Sequence, residues 1–253
     1  MGEETASDHY ALFSGGHDSL VSAHKAMENG EANTVLHIDT GIGVKQTREF
    51  VKETCEKHGW DLEIVSSDHD YEEIVKEHGF PGPGVHIWMY VRLKERALEK
   101  VAKKCDGKPL FITGQRRYES EQRFKNMGEE RVEKDRWVWW TNIHDYTKED
   151  VESYIDKHGL NRSPVKQLYH HSGECLCGAF GNRAEELTLL EAHFPETADR
   201  IKRLEKEVQE IHGDDDPRSY WAHGGMSSVD LRALLADNDE SQMMLCASCG
   251  ASQ

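Results

Sequence analysis

Short apolar runs alternate with stretches of helical period through the first half of the chain. Tyr10–Phe13 predicts a strand, followed at once by Ser14-Gly15-Gly16-His17-Asp18-Ser19 and a helix to about Asn29. Thr34–Ile38 predicts a second strand, and after Asp39-Thr40-Gly41-Ile42-Gly43 a helix runs from about Lys45 to His58. Leu62–Ser66 predicts a third strand and Tyr71–His78 a short helix. Pro81-Gly82-Pro83-Gly84 interrupts the pattern. A long amphipathic helix then runs from about His86 to Lys104, and Leu110–Thr113 is a fourth strand. Strands separated by helices at this spacing imply an α/β fold with a doubly wound, mostly parallel sheet. Ligands of such sheets sit at the C-terminal ends of the strands. The polar segments after strands one, two and four all fall at that edge.

After Gly114 the pattern changes. Trp137–Trp140 predicts another strand, and Thr147 caps a helix to about Lys157, with Asp150 three residues on as an acidic variant of the capping box. Ala184 to Ile211 is helical, bent or broken near Pro195, and Val229–Leu235 is a last short helix. The expected organisation is an α/β domain over 1–145 and a mainly helical region over 146–253, packed on the first as one unit.

The chain has 253 residues, 37% hydrophobic and 31% charged, enough to fill a core in a polar protein. No run approaches the roughly 18 apolar residues of a membrane helix. The N-terminus is acidic without an apolar stretch, so no secretory signal is expected. A cytoplasmic protein with no membrane partner follows as the expectation. The net charge of −16 argues against broad, non-specific affinity for nucleic acid, though not against a local basic groove. The most basic stretch, from Arg116 to Arg136, is interrupted by carboxylates and reads as a solvated mixed surface. Trp137, Trp139 and Trp140 read as core or interface before base-stacking platforms.

The segment after strand one carries the sharpest chemistry. Two glycines let the backbone pass close to phosphate oxygens, and the following helix aims N–H groups and its positive dipole end at an anion. Ser14 and Ser19 add hydroxyls, His17 a hydrogen bond or a charge, and Asp18 a carboxylate placed to cap backbone N–H groups. The bland alternative is a Gly-Gly turn in an ordinary strand–helix connection. Arg116 and Arg117 suit phosphate or sulfate through the guanidinium fork; their alternative is a solvated loop.

Six cysteines stand at 55, 105, 175, 177, 246 and 249. Cys55 and Cys105 fall in or at the end of predicted helices and read as small buried hydrophobes. Cys175, Cys177, Cys246 and Cys249 form two close pairs, which in a reducing compartment point to metal or redox chemistry. Four thiolates satisfy a tetrahedral zinc or a [4Fe–4S] cube, zinc being the generic expectation. His170 and His171 precede the first pair and read as packed or surface histidines before ligands.

Ser14–Ser19 resembles the SGGxDS signature of the PP-loop, or adenine nucleotide alpha hydrolase, family, with His17 where that family more often carries Lys. Asp39-Thr40-Gly41 is similar to the DTG segment of PAPS reductases, which lies beside the nucleotide. Gly114, Arg116, Ser120 and Arg123 look like the G-x-R-x-x-E-S-x-x-R segment of the same group. The likeness covers roughly Tyr10 to Phe180. It implies that Ser14, Gly15, Gly16, His17, Asp18, Ser19, Asp39, Thr40, Gly41, Gly114, Arg116, Arg117, Ser120 and Arg123 contact an adenine nucleotide, with His17, Asp18, Asp39 and Arg116 in catalytic roles and Mg²⁺ accompanying ATP. It also favours a [4Fe–4S] cluster over zinc at the four cysteines. In cluster-bearing sulfonucleotide reductases the first pair is Cys-Cys, whereas here it is Cys-x-Cys.

Three activities follow as expectations. One is cleavage of ATP at the α-phosphate to activate a substrate for sulfur transfer, with a sulfur donor protein and tRNA, DNA or a small metabolite as acceptor. The second is reduction of PAPS or adenylyl sulfate. The nearly intact SGGxDS loop and the lack of an E-C-G-[IL]-H segment at the C-terminus favour the first over the second. The third is a non-catalytic nucleotide-binding subunit of a nucleic-acid modification complex. A homodimer is what the family resemblance suggests.

Overall fold

A computed structural model describes residues 8–119 and 128–224 of the chain. Six strands form one sheet: β1 (His9–Leu12), β2 (Thr34–Ile38), β3 (Leu62–Val65), β4 (Leu110–Ile112), β5 (Arg131–Glu133) and β6 (Val138–Trp140). Their order is β3-β2-β1-β4-β6-β5, and every neighbouring pair is parallel except β5 with β6. The expected mostly parallel α/β sheet is what the chain forms. β5 went unread in the sequence because its three residues, Arg131-Val132-Glu133, hold one apolar side chain. Pairing to β6 makes it a strand, and its exposed charges suit an edge.

Neighbouring residues of β1 face opposite layers. Tyr10 and Leu12 pack with Leu36, Phe111 and Trp139 against Ala97, Leu98 and Val101 of α5 (Arg96–Ala102). Ala11 and the following Phe13 pack with Leu20 and Val21 of α1 (His17–Glu28), Phe50 and Val51 of α2 (Lys45–His58), and Val151 and Ile155 of α6 (Lys148–His158). Burial on both faces is why the runs at β1 and β4 read as apolar. Trp139 is 1% exposed and Trp137 5%, so both belong to the core rather than to a stacking platform.

A third cluster joins the two halves of the chain. Tyr71 and Val75 of α3 (Tyr71–His78) and Trp88 and Met89 of α4 (His86–Tyr90) pack with Val165 and Tyr169 of α7 (Pro164–Tyr169). Leu190 of α8 (Arg183–His193), Ile201, Leu204 and Val208 of α9 (Pro195–His212), and Trp221 complete it. The helix expected from His86 to Lys104 is helical to Ala102, but a wider π-helical turn at Val91–Glu95 separates α4 from α5. At Thr147 both halves of the capping box form. The break near Pro195 falls between α8 and α9, with Pro195 in the first turn of α9, where its missing N–H has no partner to lose. The sequence reading missed α7, whose six residues are too few for periodicity; Ser163 caps it and Pro164 opens it. The helix expected at Val229–Leu235 lies outside the described residues. Among those described, no helix is long and apolar enough to cross a membrane.

Candidate functional site

β1 pairs with β2 on one side and β4 on the other, and the chain visits β2 and β3 before crossing back to β4. The loops leaving β1 and β4 therefore diverge and open a crevice, the usual ligand position of an open α/β sheet. Ser14–Ser19 forms one wall and Gly114–Arg117 the other.

The first wall is held by its own hydroxyls. Ser19 Oγ accepts from the Ser14 N–H at 3.2 Å, lies 3.0 Å from Ser14 Oγ and donates to the Gly16 carbonyl at 3.0 Å. Gly15 has φ +83°, and a Cβ there would stand 2.6 Å from Cγ2 of Thr47. Gly16 is the N-cap of α1 and no side chain caps that helix, so its first N–H groups face the loop.

Asp18, expected as a cap, makes a different contact. Its carboxylate pairs with Arg116, Oδ1 3.0 Å from Nε and Oδ2 accepting from Nη2 at 3.2 Å. The Arg116 side chain is 8% exposed, and a guanidinium that buried needs a counter-charge more than the helix needs a cap. Gly114 makes the closest approach between the walls. A Cβ there would meet the Asp18 carbonyl group and Ser19 Cα at 2.6 Å.

His17 turns toward α6, with Nδ1 3.1 Å from Glu152 Oε1, while its buried Nε2 has no hydrogen-bond partner. Burial pushes the Glu152 carboxyl up, but hydrogen bonds from Arg162 and His17 outweigh it and hold the group below the usual range. Asp39 accepts from the Gly41 N–H at 3.0 Å and pairs with Arg48, which braces its own loop. Thr40 Oγ1 donates to the Glu174 carbonyl at 2.8 Å. Gly41, at φ +76°, gives its carbonyl to Arg200 Nη1 at 2.6 Å. The Arg117 N–H donates to the His144 carbonyl. Ser120 and Arg123 lie outside the described residues.

The segment before and through Cys175 lies on this same edge. Thr47 Oγ1 donates to the Ser172 carbonyl at 2.6 Å and the Val44 N–H to the Gly173 carbonyl at 2.7 Å. A Cβ at Gly16 would lie 3.5 Å from Ser172 Cβ, ordinary contact distance. The Glu174 carboxylate pairs at 2.6 Å with Lys94, the two side chains 5% and 7% exposed. Lys94 comes from the wide Val91–Glu95 turn. The Tyr71 hydroxyl donates to the Cys177 carbonyl at 2.9 Å, and Trp221 Nε1 to the Leu176 carbonyl at 2.7 Å. Burial holds the Tyr71 phenol well above its usual range, so it remains a donor.

Cys175 is half-buried and Cys177 buried; Cys246 and Cys249 lie outside the described residues. Among the described residues no group of three or more ligating side chains includes Cys175 or Cys177. Two thiols are half a tetrahedral set, so the described residues do not by themselves complete a zinc or cluster site. His170 is the exposed C-cap of α7, and His171 sits edge-on to Tyr169 at 5.6 Å with burial lowering its pKa. Burial pushes the Cys55 thiol up to about 12 and the Cys105 thiol up to about 11, leaving both protonated. Lys94, Glu152, Ser172, Glu174 and Trp221 escaped the sequence reading. Each acts through a partner far along the chain, and no local spacing marks it.

Topology and crevice place the chain among doubly wound proteins of the adenine nucleotide alpha hydrolase type. The phosphoadenosine phosphosulfate reductase domain matches residues 8–175, and the chain belongs to that family. The uncharacterized protein MJ0973 of Methanocaldococcus jannaschii is 32% identical over 222 residues, 83% of this chain and 50% of that protein, so the chain spans about half that relative's length. Three solved structures are similar. PAPS reductase from Candida auris, in a phosphate complex, is 17% identical at a TM-score of 0.48, covering 65% of this chain and 79% of that one. The U34-tRNA thiolase NcsA of Methanococcus maripaludis, with its [4Fe-4S] cluster, is 16% identical at 0.44, covering 92% and 83%. FMN adenylyltransferase of Candida glabrata, with FAD and pyrophosphate, is 13% identical at 0.44, covering 69% and 54%.

Proposed function

We propose that this member of the PAPS reductase domain family is an ATP pyrophosphatase that activates a substrate for sulfur transfer. A substrate oxygen attacks the α-phosphorus, the bond to the bridging oxygen breaks, and pyrophosphate leaves with the electron pair. Sulfur then displaces AMP from the activated substrate. The supporting observation is the uncapped start of α1 at the crevice, with Ser172, three residues before Cys175, 3.5 Å from where a Cβ on Gly16 would stand.

Each wall has a role in this reading. The amides of Gly15 and Gly16 and the hydroxyls of Ser14 and Ser19 cradle phosphate oxygens. Arg116 donates from Nη2 to Asp18, with Nε at ion-pair distance from the same carboxylate, and its Nη1 is left for the charge that develops on pyrophosphate. Asp18 orients that guanidinium. His17 presents Nε2 to the anion, with Glu152 fixing the ring from behind. Mg²⁺ enters with ATP as part of the substrate. Asp39, braced by Arg48, keeps the Asp39–Gly41 turn in shape beside the nucleotide. Cys175 and Cys177, with Cys246 and Cys249, would hold a [4Fe–4S] cluster whose chemistry is to carry sulfur; zinc on the same thiols would be structural. An acceptor with an oxygen that can be adenylylated fits this route, whether tRNA, DNA or a small metabolite, with a sulfur donor protein upstream.

The family's name favours one second reading, reduction of PAPS or adenylyl sulfate. Anaerobically purified protein offered ATP, with Mg²⁺ and tRNA or DNA, and separately PAPS with a thiol reductant decides between them. Pyrophosphate from the first mixture is the expected result. Sulfite from the second, with no pyrophosphate from the first, would replace sulfur transfer by reduction. Nucleotide binding with neither product would leave a non-catalytic subunit.

A further inference from the structure

The helices return antiparallel to the strands, so α1, α2 and α6 end together at the sheet edge opposite the crevice. His24 and Glu28, one turn apart near the end of α1, share a helix face. His58 is the last residue of α2. Each of the three offers one ligand atom, and those atoms all lie within 4.8 Å of one another. Ligands about 2.0–2.1 Å from a tetrahedral ion stand about 3.4 Å apart, so small side-chain rotations close the set. The His24 and His58 ring centroids are 5.4 Å apart and the rings are inclined at 88°. Two imidazoles on one tetrahedral ion have centroids about 5 Å apart. The rings already stand at nearly that separation.

We propose that His24, Glu28 and His58 form a binding site for a divalent ion of the zinc class, tying the end of α1 to the end of α2. Two imidazoles and a carboxylate are a donor set that suits zinc and not calcium or magnesium. His24 Nδ1 lies 3.0 Å from the Tyr154 hydroxyl on α6, which occupies one ring nitrogen and leaves the other for an ion. Metal-bound imidazoles usually carry such an outer partner. His58 is further fixed by stacking on Trp60 at 4.5 Å. Glu28 is exposed, which leaves an entry path and a fourth position for water.

The site needs nothing from the crevice, so its test stands apart from the nucleotide reading. Full-length, tag-free protein is stripped with a chelator and titrated with zinc, then with cobalt, in the wild type, Glu28→Gln, His58→Gln and Tyr154→Phe forms. The wild type is expected to hold one ion that each ligand variant binds at least about tenfold more weakly, with Tyr154→Phe weakened about tenfold. That ion persists in a Cys175→Ser/Cys177→Ser variant, and its cobalt form shows tetrahedral bands without thiolate charge transfer. Circular dichroism that matches the wild type confirms folding of the variants. Zinc uptake unchanged in both Glu28→Gln and His58→Gln would overturn the proposal. So would a wild type whose every zinc is lost with the two cysteines.

Discussion

Gly16 and Gly114 stand on opposite walls of the crevice, and the two glycines meet different constraints. Gly16 has an ordinary φ of −85°, and an added Cβ would meet nothing closer than 3.5 Å. Gly16→Ala should therefore cost at most about 1 kcal/mol, the usual penalty for alanine at an N-cap. At Gly114 the same methyl would stand 2.6 Å from the backbone of Asp18 and Ser19, where no flexible side chain can yield. Gly114→Ala should cost about 1–3 kcal/mol through overpacking and displace the first turn of α1. Chemical denaturation with ATP titration checks both: nucleotide affinity should fall much further for Gly114→Ala than for Gly16→Ala. Equal losses would mean that the walls do not meet at Gly114. The glycines themselves were legible in the sequence, because a Gly-Gly step between a strand and a helix has a local signature. The partner of Asp18 was not. Arg116 lies 98 residues away, and the carboxylate chose that buried guanidinium over the nearby N–H groups that local reasoning offered it.

Among the elements, the central strands β1 and β4 were the most legible because burial on both faces writes them as apolar runs. β5 and α7 were lost for the opposite reason: each is short, and tertiary pairing rather than composition makes it. The π turn at Val91–Glu95 was likewise invisible inside a helical pattern, yet it carries Lys94 to Glu174. That pair is nearly free of water, so its attraction is offset by desolvation, and breaking it differs from replacing it. Lys94→Met leaves a carboxylate buried and unpaired next to Cys175, and should cost about 3–5 kcal/mol. Adding Glu174→Leu should recover most of that loss, because the Thr40 and Val44 contacts to this segment run through backbone carbonyls that the substitutions keep. Urea melts of the single and double variants provide the check. A double variant no more stable than Lys94→Met would show that the loop depends on the ion pair as such.

For the molecule as a whole, the pattern changes after Gly114 and the expected division falls at residue 145, between an α/β domain and a mainly helical region. Packing does not pause there. Ile143, Val151, Ile155 and Leu160 share one cluster with Ala11, Val35 and Ile112 of the sheet, so α6 covers β4 and also β1 and β2, the last two laid down more than a hundred residues earlier. On the crevice side, Tyr71, Trp88 and Met89 share a cluster with Leu190, Leu204 and Trp221. The phosphoadenosine phosphosulfate reductase match likewise runs past 145 to 175. A fragment of residues 1–145 would expose α3, α4 and half of one sheet face to water, losing apolar burial worth about 25 cal/mol per Å². Domains are stable by only about 5–15 kcal/mol, and the loss falls on the two largest clusters. The fragment should therefore bind a hydrophobic dye and melt without a cooperative transition, while the whole chain unfolds in one step. Calorimetry on both decides. A sharp transition in the fragment that also retained ATP binding would make the first 145 residues an independent unit, with the helices after it a cover rather than part of the core.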